Sequence, residues 1–135
     1  MADTVVSARW TGDGLRFEGS GGTGDVVIVD GGGAGTRPTE LLLLGLAGCM
    51  GADIVDILGK MRVPLEALEI RVEGDRAAEP PRRFVRIRIL CDARGVPEED
   101  GLKLERAIAL SQEKYCSVLH TLRPDCEIRI EARRQ

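Results

Sequence analysis

A run of about 25 apolar and small residues between Pro38 and Arg62 constrains this chain more than any other feature. Pro38 suits a first helical turn, Glu40 suits the positive end of the helix dipole, and Val63-Pro64 ends the run. The pattern predicts one helix roughly 37 Å long. Its first half is apolar nearly all round, which predicts burial. A chain of 135 residues offers little cover for such a helix, so we expect a homodimer in which the partner covers part of it.

The same run bears on the membrane and on the compartment. Its uninterrupted apolar part, Leu41 to Ala52, stops at Asp53 and falls short of the roughly 18 to 20 residues that span a bilayer. The segment Met1-Ala2-Asp3-Thr4 has neither the basic nor the apolar region of a secretory signal. We therefore expect no membrane partner and a cytoplasmic location, where four irregularly spaced cysteines are thiols rather than a disulfide framework.

Charge and aromatic content argue against a nucleic-acid partner. The net charge is −3, and the aromatic residues amount to only 3% of the chain. Binding of duplexes depends on clustered cations, and binding of single strands depends on aromatic stacking surfaces. Neither is visible, so we expect no nucleic acid.

Shorter segments around the long helix predict an α+β fold with antiparallel sheets. The predicted strands are residues 4–10, Leu15–Glu18, Asp25–Asp30, Leu65–Glu73, Arg83–Asp92 and Asp125–Glu131. A helix from Pro97 to Tyr115 and a short helix capped by Ser117 complete the order, within a single domain spanning residues 1–135. The loop 31–35 is rich in glycine but lacks the phosphate-binding and dinucleotide-binding patterns, which indicates a plain connector.

Cys49 stands out among the four cysteines. On a helical wheel it lies within about 40° of Asp53, Asp56 and Lys60, on the stripe that turns polar along the long helix. Glycine inside a helix costs about 1 kcal/mol relative to alanine, and three glycines lie nearby: Gly45, Gly48 and Gly51. They indicate either a reactive site that needs close approach to the backbone or a close helix–helix crossing with Cys49 as filler.

The other cysteines and the histidine are less distinctive. Cys91 and Cys126 alternate with apolar strand residues, which indicates small buried hydrophobic side chains. Cys116 lies where one helix ends and the next begins; backbone N–H groups there stabilise a thiolate, but a packed joint is equally compatible. Nothing places His120 beside a thiol. Since no CxxC, no HExxH and no cluster of Cys and His occurs, we expect no metal and no cofactor.

Two segments resemble the OsmC-like family of osmotically inducible and organic hydroperoxide resistance proteins. The first is Pro38-Thr-Glu-Leu-Leu-Leu-Leu-Gly-Leu-Ala-Gly-Cys49 with Asp53-Ile-Val-Asp-Ile-Leu58 after it, and the second is Glu113-Lys-Tyr-Cys-Ser-Val118. The resemblance covers nearly the whole chain. It implies an intertwined homodimer with long central helices and antiparallel sheets around them.

The resemblance also implies a chemistry. In peroxidase members the first cysteine attacks a hydroperoxide, organic or hydrogen peroxide, and becomes a sulfenic acid; the second closes a disulfide, which a dithiol reductant reopens. Carried over by position, Cys49 is the peroxidatic and Cys116 the resolving residue. This chemistry suits an exposed thiol of low pKa.

Two departures from the family pattern keep a second function open. The family's peroxidases carry an Arg in the N-terminal hairpin, where Arg16 is the nearest residue here, and a Glu directly after the helix proline, where Thr39 stands. Glu40, one residue later, points about 180° from Cys49 and lies about 13.5 Å along the helix, so a catalytic role for Glu40 would be across the dimer. A carboxylate at Asp53 would raise a thiol pKa. The alternative is a weakly catalytic redox sensor, or a protein that binds a small apolar ligand, on the same dimeric fold.

Overall fold

The computed structural model describes residues 2–135, which form two compact units. The first unit ends at Leu42, and the second runs from Leu43 to Gln135. The strands are β1 (Ser7–Trp10), β2 (Arg16–Ser20), β3 (Val26–Asp30), β4 (Ala67–Arg76), β5 (Phe84–Arg94) and β6 (Glu127–Arg134). The helices are α1 (Pro38–Lys60), α2 (Gly101–Leu110) and α3 (Ser117–Thr121), with a 3₁₀ turn at Glu98–Asp100 and a π-helical turn at Ser111–Tyr115. This mixed architecture confirms the α+β prediction.

The first unit is an antiparallel sheet in the order β1-β2-β3, followed by the start of α1. The predicted hairpin of the first two strands is present, and its turn places Gly12 and Gly14 at positive φ, where glycine is favoured. Asp30 at the end of β3 is buried and holds the glycine-rich loop. Its Oδ1 accepts a hydrogen bond from the Gly32 N–H at 2.8 Å, and its own N–H donates to the Thr36 carbonyl at 2.9 Å. These bonds fit the predicted connector.

The second unit packs α1 and α2 on one face of the sheet β4-β5-β6. Residues four apart on α1 form its buried stripe: Leu46, Met50, Ile54 and Leu58. They meet the alternate residues Ile87, Ile89, Cys91 and Ala93 of β5 and the α2 residues Leu104, Ala107 and Ile108. As the alternation in β5 predicts, Arg86 and Arg88 lie on the opposite face, where Arg88 pairs with Asp75 at 2.7 Å.

One strand pairing differs from the antiparallel order expected from the sequence. β4 and β5 are antiparallel, but β6 lies parallel to β5. The segment between β5 and β6 contains α2, the π-helical turn and α3, which is a crossover long enough to return the chain to the same end of the sheet. Two helix details also differ: the predicted helix from Pro97 to Tyr115 divides into 3₁₀, α and π segments, and the residue before α3 that takes the cap position is Cys116 rather than Ser117.

By length and composition, α1 is also apolar enough to cross a membrane, with a mean hydropathy of 2.0 over its best window. Core helices of globular proteins meet the same criterion. The buried stripe of α1 gives it such a core role here, although only 22% of that window is buried. The helix therefore keeps a large apolar surface that its own chain leaves uncovered.

Candidate functional site

The site is built around Cys49 in the middle of α1. The side chain is half-buried, next to the fully buried Met50. Asp53 follows one helical turn later, on the same face as Cys49, because residues i and i+4 of a helix are neighbours. A thiol and a carboxyl group are therefore held side by side by the most regular element of the chain.

Cys116 comes to the same site from the segment between α2 and α3. It follows the π-helical turn Ser111–Tyr115 and precedes α3, with extended backbone angles of φ −73° and ψ 99°. Its N–H donates to the Ser111 carbonyl at 2.8 Å, which closes the wide turn. Turns of π type inside α-helices are often found at functional sites. This one ends the helical path of α2 so that Cys116 is directed inward, fully buried.

The two cysteines and Asp53 form one group. The Sγ atoms of Cys49 and Cys116 and a carboxylate oxygen of Asp53 all lie within 4.8 Å of one another. The pairing of the two cysteines inferred from the family resemblance therefore has its geometric counterpart. Of the residues that the structure describes, these three are also the ones whose ligand atoms are close enough to share a metal ion.

Ser111 is a fourth member that the sequence did not identify as a site residue. It is fully buried, and its hydroxyl donates to Asp53 Oδ2 at 2.8 Å. Burying a hydroxyl without a hydrogen-bond partner costs free energy, so the folded state favours this bond. The bond in turn fixes the position of the Asp53 carboxylate. The one signal in the sequence was a serine that continues the apolar stripe of Leu104 and Ile108 on the second helix.

The surroundings of Cys116 keep its thiol protonated at neutral pH. Burial raises the pKa of Cys116 to about 11, the Leu119 N–H opposes this, and the nearby Cys49 and Asp53 raise it further. A backbone N–H group of α3 therefore does stabilise the Cys116 thiolate, as expected for a helix start, but burial has the larger effect on the pKa of this thiol. The same cause raises the pKa of the core cysteines, Cys91 to about 11 and Cys126 in the same direction, which fits their predicted role as buried hydrophobic residues.

Each of the remaining candidates has a partner of its own. Glu40 is in the first turn of α1, where its Oε1 accepts a hydrogen bond from the Arg37 N–H at 3.0 Å, which is a helix-capping contact. Arg16 pairs with Asp30 at 3.5 Å. His120 is hydrogen-bonded through Nε2 to the Gln112 carbonyl at 2.9 Å. Glu40 and Arg16 belong to the first unit, and whether Glu40 acts across a dimer stays a prediction.

Two depressions adjoin α1 in the second unit. A pocket of about 450 Å³ contains Asp53 in its wall, and its other lining residues are Asp56, Ile57, Lys60, Met61, Leu110 and Tyr115. A wider, open depression of about 740 Å³, called the α1 groove below, is lined by Leu44, Ala47, Gly48, Gly51, Ala52, Val55, Asp56, Leu68 and Ile70. The pocket reaches the site through Asp53, and the α1 groove is a largely apolar surface.

Comparison with known proteins gives consistent results. A family model described as OsmC-like protein matches residues 31–131. The Escherichia coli K12 protein YhfA is 35% identical over 112 residues, which cover 82% of both chains. A crystal structure of a hypothetical protein from Aquifex aeolicus has a TM-score of 0.85 at 30% identity, covering 100% of this chain and 99% of that one. A Legionella pneumophila structure titled organic hydroperoxide resistance protein OsmC has a TM-score of 0.67 at 19% identity, with 98% of both chains covered, and shares the fold.

Proposed function

The chain belongs to the OsmC-like family, and we propose that it is a thiol peroxidase that reduces organic hydroperoxides or hydrogen peroxide. The observation that carries the proposal is the group of two sulfur atoms within 4.8 Å of each other, one half-buried and one fully buried. This is the division that a peroxidatic and a resolving cysteine need. Structures that share the fold carry the name organic hydroperoxide resistance protein.

In the first step the Cys49 thiolate attacks one oxygen of the O–O bond. A new S–O bond forms, the O–O bond breaks, and the other oxygen leaves as an alcohol, or as water, after taking up a proton. The sulfur is oxidised to a sulfenic acid and the hydroperoxide is reduced. Cys49 suits this role because its side chain is the more exposed of the two.

In the second step the Cys116 sulfur attacks the Cys49 sulfur and water leaves, so that a disulfide forms. Cys116 must lose its proton, and the Asp53 carboxylate, held by Ser111, is close enough to both sulfurs to take that proton and pass it to the departing hydroxyl. A disulfide needs an S–S distance of about 2.05 Å, so the side chains must move together. A dithiol reductant then restores both thiols.

The pocket beside Asp53 favours organic substrates. Its volume of about 450 Å³ suits a small molecule, and apolar side chains of Ile57, Met61 and Leu110 contribute to its wall. An alkyl chain would lie along these three side chains, while Asp53, Asp56, Lys60 and Tyr115 form the polar part of the wall. We place the protein in the cytoplasm, where dithiol reductants keep thiols reduced.

The proposal includes a homodimer that covers the α1 groove. Leu44 is 58% exposed and Val55 52% exposed, and a Cβ atom added at Gly48 would meet nothing within 4 Å. An apolar strip with glycine at its centre suits close packing of a second copy of the chain. Light scattering is expected to give twice the chain mass of 14.6 kDa; a folded species at 14.6 kDa would refute the dimer.

A second candidate function is a redox sensor or ligand-binding protein with little turnover. Arg16 pairs with Asp30, and the titratable neighbours of Cys116 are Cys49 and Asp53, which raise its pKa and so disfavour its thiolate. Such a protein would form the disulfide once, or hold a small apolar molecule in the pocket, without rapid cycling.

The test compares peroxide consumption, in the presence of a dithiol reductant and a metal chelator, between wild type and three variants. Cys49→Ser is expected to abolish consumption, Cys116→Ser to leave a sulfenic acid that a dimedone-type probe labels, and Cys126→Ser to behave as wild type. Equal consumption by wild type and Cys49→Ser would contradict the proposal. A single stoichiometric disulfide without turnover would favour the sensor.

A further inference from the structure

We propose that Cys49, Asp53 and Cys116 bind a thiophilic divalent cation of the Zn²⁺ class through two sulfur atoms and one carboxylate oxygen. The sequence predicted no metal because no metal-binding pattern is visible along the chain. The three ligand atoms are brought together only by folding, since Cys116 arrives from the segment after α2.

The distances are close to those of a tetrahedral site. With Zn–S of about 2.3 Å and Zn–O of about 2.0 Å, the ligand atoms of a tetrahedron lie roughly 3.5 to 3.8 Å apart. The three atoms here already lie within 4.8 Å of one another, so each pair has to approach by little more than about 1 Å. Cys49 and Asp53 have the i, i+4 spacing that places two ligands on one helix face, as in helical zinc motifs.

The charge of the group also favours a cation. When binding displaces the thiol protons, two thiolates and a carboxylate lie together, and they repel one another unless a positive charge lies between them. The nearby lysines are engaged elsewhere: Lys60 pairs with Asp56 at 2.9 Å, and Lys114 lies over the Tyr115 ring at 5.2 Å. A divalent cation removes the repulsion, and sulfur ligands select Zn²⁺ over Mg²⁺ or Ca²⁺.

The surroundings supply what metal ligands usually need. The ligating carboxylate of a metal site is typically hydrogen-bonded, and the Ser111 hydroxyl already donates to Asp53 Oδ2 at 2.8 Å. Ser111 is fully buried, whereas Cys49 is only half-buried, so the site is supported on one side and open on the other. Three protein ligands with an open fourth position leave room for water.

The experiment is an anaerobic titration of the reduced, full-length protein with Co²⁺, followed by displacement with Zn²⁺. A thiolate-to-cobalt charge-transfer band is expected to saturate at one equivalent per chain and to disappear when Zn²⁺ is added. Zn²⁺ should also protect Cys49 from alkylation, and a chelator should restore labelling. Binding displaces the protons of both thiols, so the affinity should rise with pH.

Variants separate this site from other binding. Cys116→Ser and the nearly isosteric Asp53→Asn are expected to lose the band, Ser111→Ala to weaken binding by about 10-fold or more, and Cys126→Ser to bind as wild type. Thermal melts establish that each variant is folded. A reduced wild type without the band, or an unchanged band in folded Asp53→Asn and Cys116→Ser, would overturn the proposal. Since the peroxide assay is run with chelator, loss of either function leaves the other measurable.

Discussion

Alkylation by iodoacetamide at about pH 8 is predicted to distinguish Cys116 from an ordinary thiol by about 100-fold. The pKa of Cys116 is raised from 9.0 to about 11, chiefly by burial. At about pH 8 a thiol of pKa 9.0 is roughly one-tenth ionised, and a thiol of pKa 11 roughly one-thousandth. Because the thiolate is the reacting species, the rate should fall in proportion, and the fully buried position of Cys116 can only slow it further.

The assay is a time course on the reduced protein with peptide mapping by mass spectrometry. The urea-unfolded chain supplies the reference rate for Cys116, and partly exposed Cys49 supplies an internal comparison in the folded protein. The rate at Cys116 should rise about tenfold per pH unit up to about pH 11, while the unfolded chain levels off near pH 9. Equal rates at Cys116 in folded and unfolded samples at about pH 8 would refute the argument from burial.

Two further predictions concern stability. Met50→Ala removes a fully buried side chain of α1 and should lower the free energy of unfolding in urea by about 2 to 5 kcal/mol, whereas Leu102→Ala, at a position 79% exposed, should change it little. Burial raises the pKa of Cys91 from 9.0 to about 11. Between pH 9 and about pH 11 the Cys91 thiol has lost its proton in the unfolded chain but keeps it in the folded protein. The free energy of unfolding should therefore fall by up to about 3 kcal/mol as the pH rises through this range. Cys91→Ala should remove that part of the fall in pH-dependent urea melts, and an identical slope in this variant would contradict it.

Local patterns were enough to predict most of the fold. The alternation through Arg86 and Arg88 located β5 and its buried face, because the side-chain period of a strand is two. The apolar run after Pro38 located α1 to within a few residues, since a proline and a capping glutamate fix its start. These features depend on neighbours in the chain, which a sequence displays directly.

The features that the sequence left undetermined depend on distant partners. The parallel pairing of β5 with β6 follows from where the crossover returns the chain, and no residue of β6 encodes that direction by itself. The Ser111–Asp53 hydrogen bond joins the π-helical turn to α1, and it fixes the Asp53 carboxylate beside Cys49. The spacing of Cys49 and Asp53 in the sequence shows only that the two residues are neighbours. Cys116 was paired with Cys49 mainly through family resemblance, with its place at a helix joint as support, because the π-helical turn that directs it inward has no clear sequence pattern.

Gly48→Ala tests whether the α1 groove faces solvent or a second copy, and the two cases give opposite signs. If the groove faces solvent, Gly48→Ala should stabilise the folded protein by about 1 kcal/mol, because alanine favours the helix more than glycine does. Its Cβ atom would meet nothing within 4 Å, so no clash opposes this gain. If a partner packs closely there, the added methyl group separates the subunits, and the variant should dissociate at higher protein concentration than wild type. Gly101→Ala is the matched control, since that helical glycine of α2 lies outside the groove and has only the Arg134 side chain nearby, at 3.9 Å. Because we propose a dimer, Gly48→Ala should lower the thermal midpoint at dilute concentration while Gly101→Ala raises it slightly; equal stabilisation by both would mean that the groove is uncovered.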